Sequence, residues 1–558
     1  MTNRRQSVAA CGPVRQRAFA LGLFGALLAT VAVTPPATAL EVQPRSGLPA
    51  SSVVNAPAGP VQGIVDKGVS EYLGIPYAVP PTGPLRWQPP QPFPAFSQLR
   101  QANQFGPTCA QITTTGVFAS PSVNEDCLYV NVFTPNLKTA NKLPVLVFIH
   151  GGGNYDGESN DYDATKLAAQ GQMIVVTFNY RLGFLGFLAN PALDAEGHPF
   201  ANYGILDQQL VLKWVQKNIA AFGGDPARVA LGGQSSGSYD SASNVVSPLA
   251  AGLFNRAIFE SVLFDSLPLP VAEQIGTGVA EALGCGPGAT PAVAACLRSQ
   301  PVQAILAVQG TPQANGPLIL PLTISDGTII PAQGIYASFS SGTFNHMPII
   351  SGFVHDEENF FDAPQVYFSG KPITAADVTA LAQADYGANA SKVQAAFPTS
   401  AFPTPQLAAD AIGTPFFACP QFNINKTIST QVPFYAYQFD DKTAPFYYPP
   451  LPQFQSLAYH TGDLQYLFPH FHGSVNGIPR QLNLQQWLLS DEMVALWSNF
   501  VHTGNPNWSG NFPWPRYDSS QAATSFYLSE NIPLLSLLSD STVSQQHSCD
   551  FFLPFIAF

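Results

Sequence analysis

A serine set between glycines, three glycines after a histidine, and a late series of acids and histidines are the residues in this chain suited to act together on a carbonyl carbon. Gly233-Gln234-Ser235-Ser236-Gly237 has the form G-x-S-x-G, the pattern of a serine at a sharp turn from strand to helix. Such a turn leaves little room for neighbouring Cβ atoms, hence the two glycines. It projects the serine Oγ from the sheet edge, and the helix N-terminus that follows favours developing negative charge. Taken alone, the pattern fits a plain glycine-rich turn about equally well. Upstream, His150-Gly151-Gly152-Gly153 follows an apolar run and has the form of a loop whose backbone N–H groups receive an oxyanion. Two such motifs in this order make Ser235 the expected nucleophile. The N–H groups of Gly152, Gly153 and Ser236 are the expected oxyanion donors.

A serine nucleophile needs a base, and the base an acid to orient it; on a strand–turn–helix scaffold these follow in the order nucleophile, acid, histidine. Asp356, Glu357 and Glu358 come directly after the apolar residues 347–353 and suit the acid. His460, His470, His472, His502 and His547 come later, and position alone does not choose among them.

The elements that must position these groups are legible between residues 142 and 255, where short apolar runs alternate with helical patterns. That alternation predicts a mostly parallel sheet covered by helices. Residues 143–149 and 173–178 read as central strands, 205–221 as an amphipathic helix with Leu206, Leu210, Leu212, Trp214, Val215 and Ile219, and 228–232 as a strand running into the Ser235 turn. A length of 558 residues suggests several domains. No repeat or Gly/Ser-rich linker divides the chain, however, so residues 40–558 read as one domain.

Residues 1–39 read as an export leader: Arg4, Arg5, Arg15 and Arg17 precede an apolar run, and Ala37-Thr38-Ala39 suits cleavage. The run is shorter than the about 20 residues of a membrane span, and Pro35-Pro36 follows it. Arg4-Arg5 is a weak twin-arginine signal, and Cys11 leaves with the leader. The reading is therefore a secreted or periplasmic protein without a stable membrane span. Losing the leader removes four arginines and no acid, so the net charge falls from −12 to −16, which argues against a nucleic-acid surface. The six remaining cysteines, Cys109, Cys127, Cys285, Cys296, Cys419 and Cys549, are an even set without C-x-x-C spacing. In an exported chain they suggest disulfides over metal, in pairings that spacing does not decide. Asn389, Asn425 and Asn507 head glycosylation sequons in a eukaryotic host.

Further landmarks bring in a resemblance. Residues 72–78 (YLGIPYA) with Leu85-Arg86-Trp87, 124–132 (NEDCLYVNV), 179–183 (NYRLG), 202–204 (NYG) with Asp207-Gln208, and 222–226 (FGGDP) are similar, in order and over nearly the whole length after the leader, to the type-B carboxylesterase/lipase family that includes cholinesterases. The resemblance implies an α/β-hydrolase fold, with a large mostly parallel sheet carrying helices on both faces. It implies carboxylic ester hydrolysis with no cofactor or metal, on a small-molecule or lipid ester. By the same resemblance Glu357 is the acid, His460 the base and Ser261 a support for that pair. The implied disulfides are Cys109–Cys127, Cys285–Cys296 and Cys419–Cys549. Three departures stand out: Gln234 where the family usually has Glu, Glu260-Ser261-Val262 where Gln-Ser-Gly is common, and no tryptophan between Cys109 and Cys127. The last removes the aromatic face on which cholinesterases hold a quaternary ammonium. Phe360, Phe361, Tyr367 and the Phe446-Tyr447-Tyr448 cluster are candidates for an apolar pocket, with core packing as their competing role. Alternatives to a small-ester esterase are a long-chain lipase, a serine amidase or carbamate hydrolase, and a non-catalytic adhesion protein of the same fold.

Overall fold

The computed structural model describes residues 48–112, 120–136, 141–261, 264–309, 322–469, 471, 481–521, 525–532 and 534–556. The leader, Val262, His470 and His472 lie outside the described residues. Eleven strands form one sheet: β1 (Ile64–Asp66), β2 (Val69–Pro76), β3 (Tyr129–Pro135), β4 (Leu143–Ile149), β5 (Ile174–Phe178), β6 (Gly224–Gln234), β7 (Arg256–Glu260), β8 (Ile349–Val354), β9 (Phe434–Phe439), β10 (Phe526–Glu530) and β11 (Ser536–Ser539). Their order is β11-β10-β9-β8-β7-β6-β4-β5-β3-β2-β1. The strands from β5 to β10 are mutually parallel, and antiparallel strands finish both edges. Parallel neighbours bring their carboxyl ends to one edge of the sheet, so the loops after β4, β6 and β8 emerge together. The chain leaves β4 for β5 and returns on the other side of β4 as β6. That reversal makes the ends of β4 and β6, where both glycine motifs lie, the topological switch point of the sheet.

The apolar runs are continuous because both sheet faces are covered. Val145, Val147 and Ile149 of β4 join one core cluster, while Leu146 and Phe148 point into the other, as the two-residue period of a strand requires. Helix α1 (Tyr203–Asn218) and α2 (Ser236–Val246) pack on the first side, as does α4 (Pro405–Ser429), reached after α3 (Glu358–Ser369). On the opposite side, α5 (Leu484–Thr503) brings Met493, Val494, Trp497 and Phe500. Helices thus lie on both faces of a mostly parallel sheet.

Two boundaries differ most from the sequence reading. Helix α1 stops at Asn218, and residues 219–222 tighten into a 3₁₀ turn closed by Gly223 at φ 91°. Strand β6 begins four residues early, at Gly224, because a register shift opposite Leu143–Val145 lets Gly224 pair with Leu143. The disulfides Cys109–Cys127, Cys285–Cys296 and Cys419–Cys549 are present.

Candidate active site

Ser235 occupies the one-residue gap between β6 and α2, with φ 60° and ψ −127°, a conformation a side chain rarely adopts and one that stores strain. Its neighbours explain the glycines. A Cβ on Gly237 would lie 2.1 Å from the Ile149 carbonyl oxygen, and one on Gly233 would lie 2.4 Å from that of Gly237. The Ser235 N–H donates to the Glu260 carbonyl at 2.8 Å, pinning the turn to β7. Its side chain does not cap α2, and Ser235 is half-buried between buried Gln234 and Ser236. The hydroxyl is therefore accessible.

The glycine loop touches this turn. A Cβ on Gly151 would lie 3.0 Å from Ser235 Cβ. Three consecutive residues, Gly152, Gly153 and Asn154, have φ of 112°, 63° and 58°. The first two tolerate this because they are glycines, whereas Asn154 is held by its surroundings: its side chain donates to Asp240 at 3.1 Å, and its carbonyl accepts from Gly183 N–H at 2.6 Å. His150, stacked on Tyr180 at 4.5 Å, is pushed down to about 4 by burial and so is neutral at ordinary pH.

Beyond the end of β8, Glu357 accepts from Val354 N–H through Oε1 at 3.0 Å and from His460 Nδ1 through Oε2 at 2.5 Å. Both side chains are buried. On the other side of the ring, His460 Nε2 lies 3.3 Å from Gln234 Nε2, next to Ser235. The flanking acids are occupied elsewhere. Asp356 pairs with His355 at 2.9 Å and accepts from Ala458 N–H at 3.1 Å, while its own N–H donates to the Ala458 carbonyl at 2.9 Å. It thereby joins the acid loop to the histidine loop. Glu358 is buried, and its N–H donates to Thr414 at 3.0 Å. Of the competing histidines, His502 bonds the Gly171 carbonyl at 2.9 Å and His547 bonds Gln438 at 2.9 Å. Ser261 is buried, and its hydroxyl has no hydrogen-bond partner.

Comparison with known proteins fits this geometry. Residues 50–551 match the carboxylesterase family. The chain belongs to the carboxylesterase family, type B. It is a carboxylic ester hydrolase. It is 32% identical to the cocaine esterase of Oryctolagus cuniculus over 503 residues, covering 85% of this chain and 91% of the relative. It is 30% identical to the para-nitrobenzyl esterase of Bacillus subtilis over 497 residues, covering 85% and 94%. A solved thermophilic PNB esterase superposes with a TM-score of 0.73 at 28% identity, covering 89% of this chain and 99% of that one.

In this carboxylesterase, burial surrounds the acid–histidine pair with further acids, of which the sequence had marked only Glu260. Asp463, three residues after His460, is pushed up to about 7 by burial and then by the Glu357 charge. Glu260 is raised well above the carboxylate range by burial and by Asp463, against the pull of a 2.7 Å hydrogen bond from Trp497 Nε1. Glu530, on β10, is raised by burial and by both of these acids. Raised in this way, these carboxyls are shifted toward their protonated forms, which limits negative charge beside Glu357. Asp463 is close to His460 in sequence, but Trp497 and Glu530 reach this region only through tertiary packing.

Of the aromatic candidates, Phe360 and Phe361 lie 5.9 and 5.0 Å from the His460 ring, and Phe417, which the sequence did not mark, stacks on Phe361 at 4.8 Å. Tyr447 and Tyr448 are buried, with Tyr448 against Tyr367 at 5.2 Å and Phe446 against Tyr459 at 4.7 Å. That cluster packs behind the histidine loop as core. The sequon at Asn425 is corrected by burial: its side chain is fully enclosed and accepts from Ser351 at 2.8 Å, leaving no room for a glycan. Among the described residues, no helix is long and apolar enough to cross a membrane, and no group of His, Cys, Asp and Glu is placed to hold a metal ion.

Proposed function

We propose that this chain is an exported serine esterase that works through an acyl-enzyme on Ser235, with His460 as general base and Glu357 as its orienting acid. The observation that carries the reading is a half-buried serine at a strained turn whose neighbour Gln234 lies 3.3 Å from the Nε2 of His460, a histidine whose Nδ1 is held by a buried glutamate at 2.5 Å. With Nδ1–H donated to Glu357, Nε2 is the unprotonated ring nitrogen, facing the Gln234 amide at 3.3 Å, and it is the atom that takes a proton when Ser235 reacts. Ser235 Oγ attacks the ester carbonyl as His460 accepts its proton, and Glu357 stabilises the imidazolium. The carbonyl oxygen becomes an anion received by the N–H groups of Gly152, Gly153 and Ser236. Loss of one such donor costs about 3–4 kcal/mol. The protonated imidazole then releases the alcohol. Water, giving its proton to the same nitrogen, frees the acid and restores the serine.

Phe360, Phe361 and Phe417 form an apolar wall beside His460, which favours esters with an apolar or aromatic acyl or alcohol group. The para-nitrobenzyl esterase among the relatives supports the same class. The test is hydrolysis of nitrophenyl esters from acetyl to palmitoyl by the exported product, whose intact mass should place its first residue at Leu40. Activity on short and medium chains, lost by about 10⁵-fold or more in Ser235→Ala, is the expected result. A palmitoyl preference instead identifies a lipase. Full activity in Ser235→Ala overturns the mechanism.

A further inference from the structure

We propose that Asp240 is a positioning residue for the oxyanion hole, tying the nucleophile helix to the glycine loop through Asn154. The inference rests on the hole described above. That hole takes its donors from two separate stretches of chain: Ser236 N–H at the start of α2, and Gly152 and Gly153 in the loop after β4. Preorganised donors act only if their relative placement is held to a fraction of an ångström. The loop's own bonds are a turn in which the Gly152 carbonyl accepts from the Tyr155 and Asp156 N–H groups at 2.9 and 3.1 Å, and they leave three residues in succession at positive φ, the third of which, Asn154 at 58°, carries a side chain. A backbone of that kind persists only when its surroundings over-determine it.

Asp240 lies on α2, five residues after Ser235, and is fully buried. A carboxyl group enclosed in this way is costly unless its oxygens are bonded, and both are. One accepts from Asn154 Nδ2 at 3.1 Å and the other from Gln208 Nε2, on α1, at 2.5 Å. Asn244, one turn further along α2, donates to Gln208 Oε1 at 2.8 Å and so orients that amide toward Asp240. From the opposite side, the Tyr180 hydroxyl lies 2.9 Å from the His150 carbonyl oxygen and 3.2 Å from Asn154 Oδ1. The chain from Gln208 through Asp240 to Asn154 thus crosses from the nucleophile helix to the loop, the join across which the hole is assembled. An acid serving only the packing of α2 would not need to grip the one side chain of the strained loop segment.

The experiment compares wild type with Asp240→Ala, Asp240→Asn, Asn154→Gly and the double variant Asp240→Ala/Asn154→Gly, alongside Ser235→Ala. Glycine at position 154 suits the positive φ, so that variant removes the side-chain link without adding strain. The readouts are kcat and KM on nitrophenyl butyrate, the thermal unfolding midpoint, and affinity for a trifluoromethyl ketone, which adds to a serine hydroxyl and leaves its oxyanion in the hole. In Asp240→Ala, kcat is expected to fall between about tenfold and a hundredfold with KM within about twofold, and ketone affinity to fall in step with kcat/KM. Asn154→Gly should show the same pattern, and the double variant should be no worse than the more damaged single one. If Asp240→Ala does not fold, Asn154→Gly, which leaves Asp240 bonded to Gln208, carries the test with Asp240→Asn. Folded variants with wild-type kcat and ketone affinity overturn the proposal, as do losses that add in the double variant. Activity in Ser235→Ala would instead overturn the underlying reading of the hole.

Discussion

Ser235, Glu357 and His460 show how differently residues disclose themselves. Ser235 is legible from its own neighbours, because a strained turn demands glycines at fixed offsets. The acid is not, since Asp356, Glu357 and Glu358 are alike in sequence and differ only in where β8 ends and α3 begins: Glu357 reaches His460 while Asp356 joins the two loops. Gln234 is the departure with a direct chemical consequence, since its amide touches His460 Nε2. A Gln234→Glu variant places a carboxylate there and favours the imidazolium. Because the proposed mechanism needs the neutral ring, the acid limb of the kcat/KM profile should move to higher pH by about one unit. A limb that stays in place on substitution would show that the contact has no electrostatic weight.

At the scale of elements, the site is an alignment of carboxyl ends. Strands β4, β6, β7 and β8 are parallel neighbours in the order β4-β6-β7-β8, so the glycine loop, Ser235 and Glu357 share one edge although more than 200 residues separate Gly151 from Glu357. His460 comes from further off, through a long connection after β9, and is tied back where Asp356 pairs with Tyr459. Helix α4, whose residues Cys419 and Phe417 serve the C-terminal anchor and the aromatic wall respectively, links that edge to the end of the chain. The Cys419–Cys549 bridge closes 130 residues, for which loop-closure entropy predicts about 4–5 kcal/mol. Replacing both cysteines by serine should lower the unfolding free energy by about 2–5 kcal/mol in urea titrations, with activity retained in the folded fraction. An unchanged midpoint would mean that packing of the terminal helices already does the anchoring.

For the whole molecule, burial of ionisable groups links stability to pH. Asp240 and Asp463 are both pushed up to about 7, chiefly by burial. Their protonated forms are favoured by folding, so their contribution is complete below pH about 4 and is lost as the pH rises to about 7. His150, pushed down to about 4, acts in the opposite sense: its contribution is present above pH about 6.5 and is lost as the pH falls toward 4. Relative to wild type, Asp463→Asn should therefore gain stability progressively from pH 4 to 7, by on the order of a few kcal/mol in total. A difference that does not vary with pH would refute the linkage. The sequence by itself determined the fold class and the strand–turn–helix setting of Ser235 and of the glycine loop, because apolar runs, glycine spacing and helix pattern are local. The resemblance to a known family supplied the acid, the histidine and the disulfide pairings. Only the tertiary structure decided which aromatics face His460 and which acids lie buried behind it. It likewise decided that Asn425 is enclosed and that Asp240 grips Asn154. Burial and contact between distant segments arise from how the helices cover the sheet, and no local pattern encodes them.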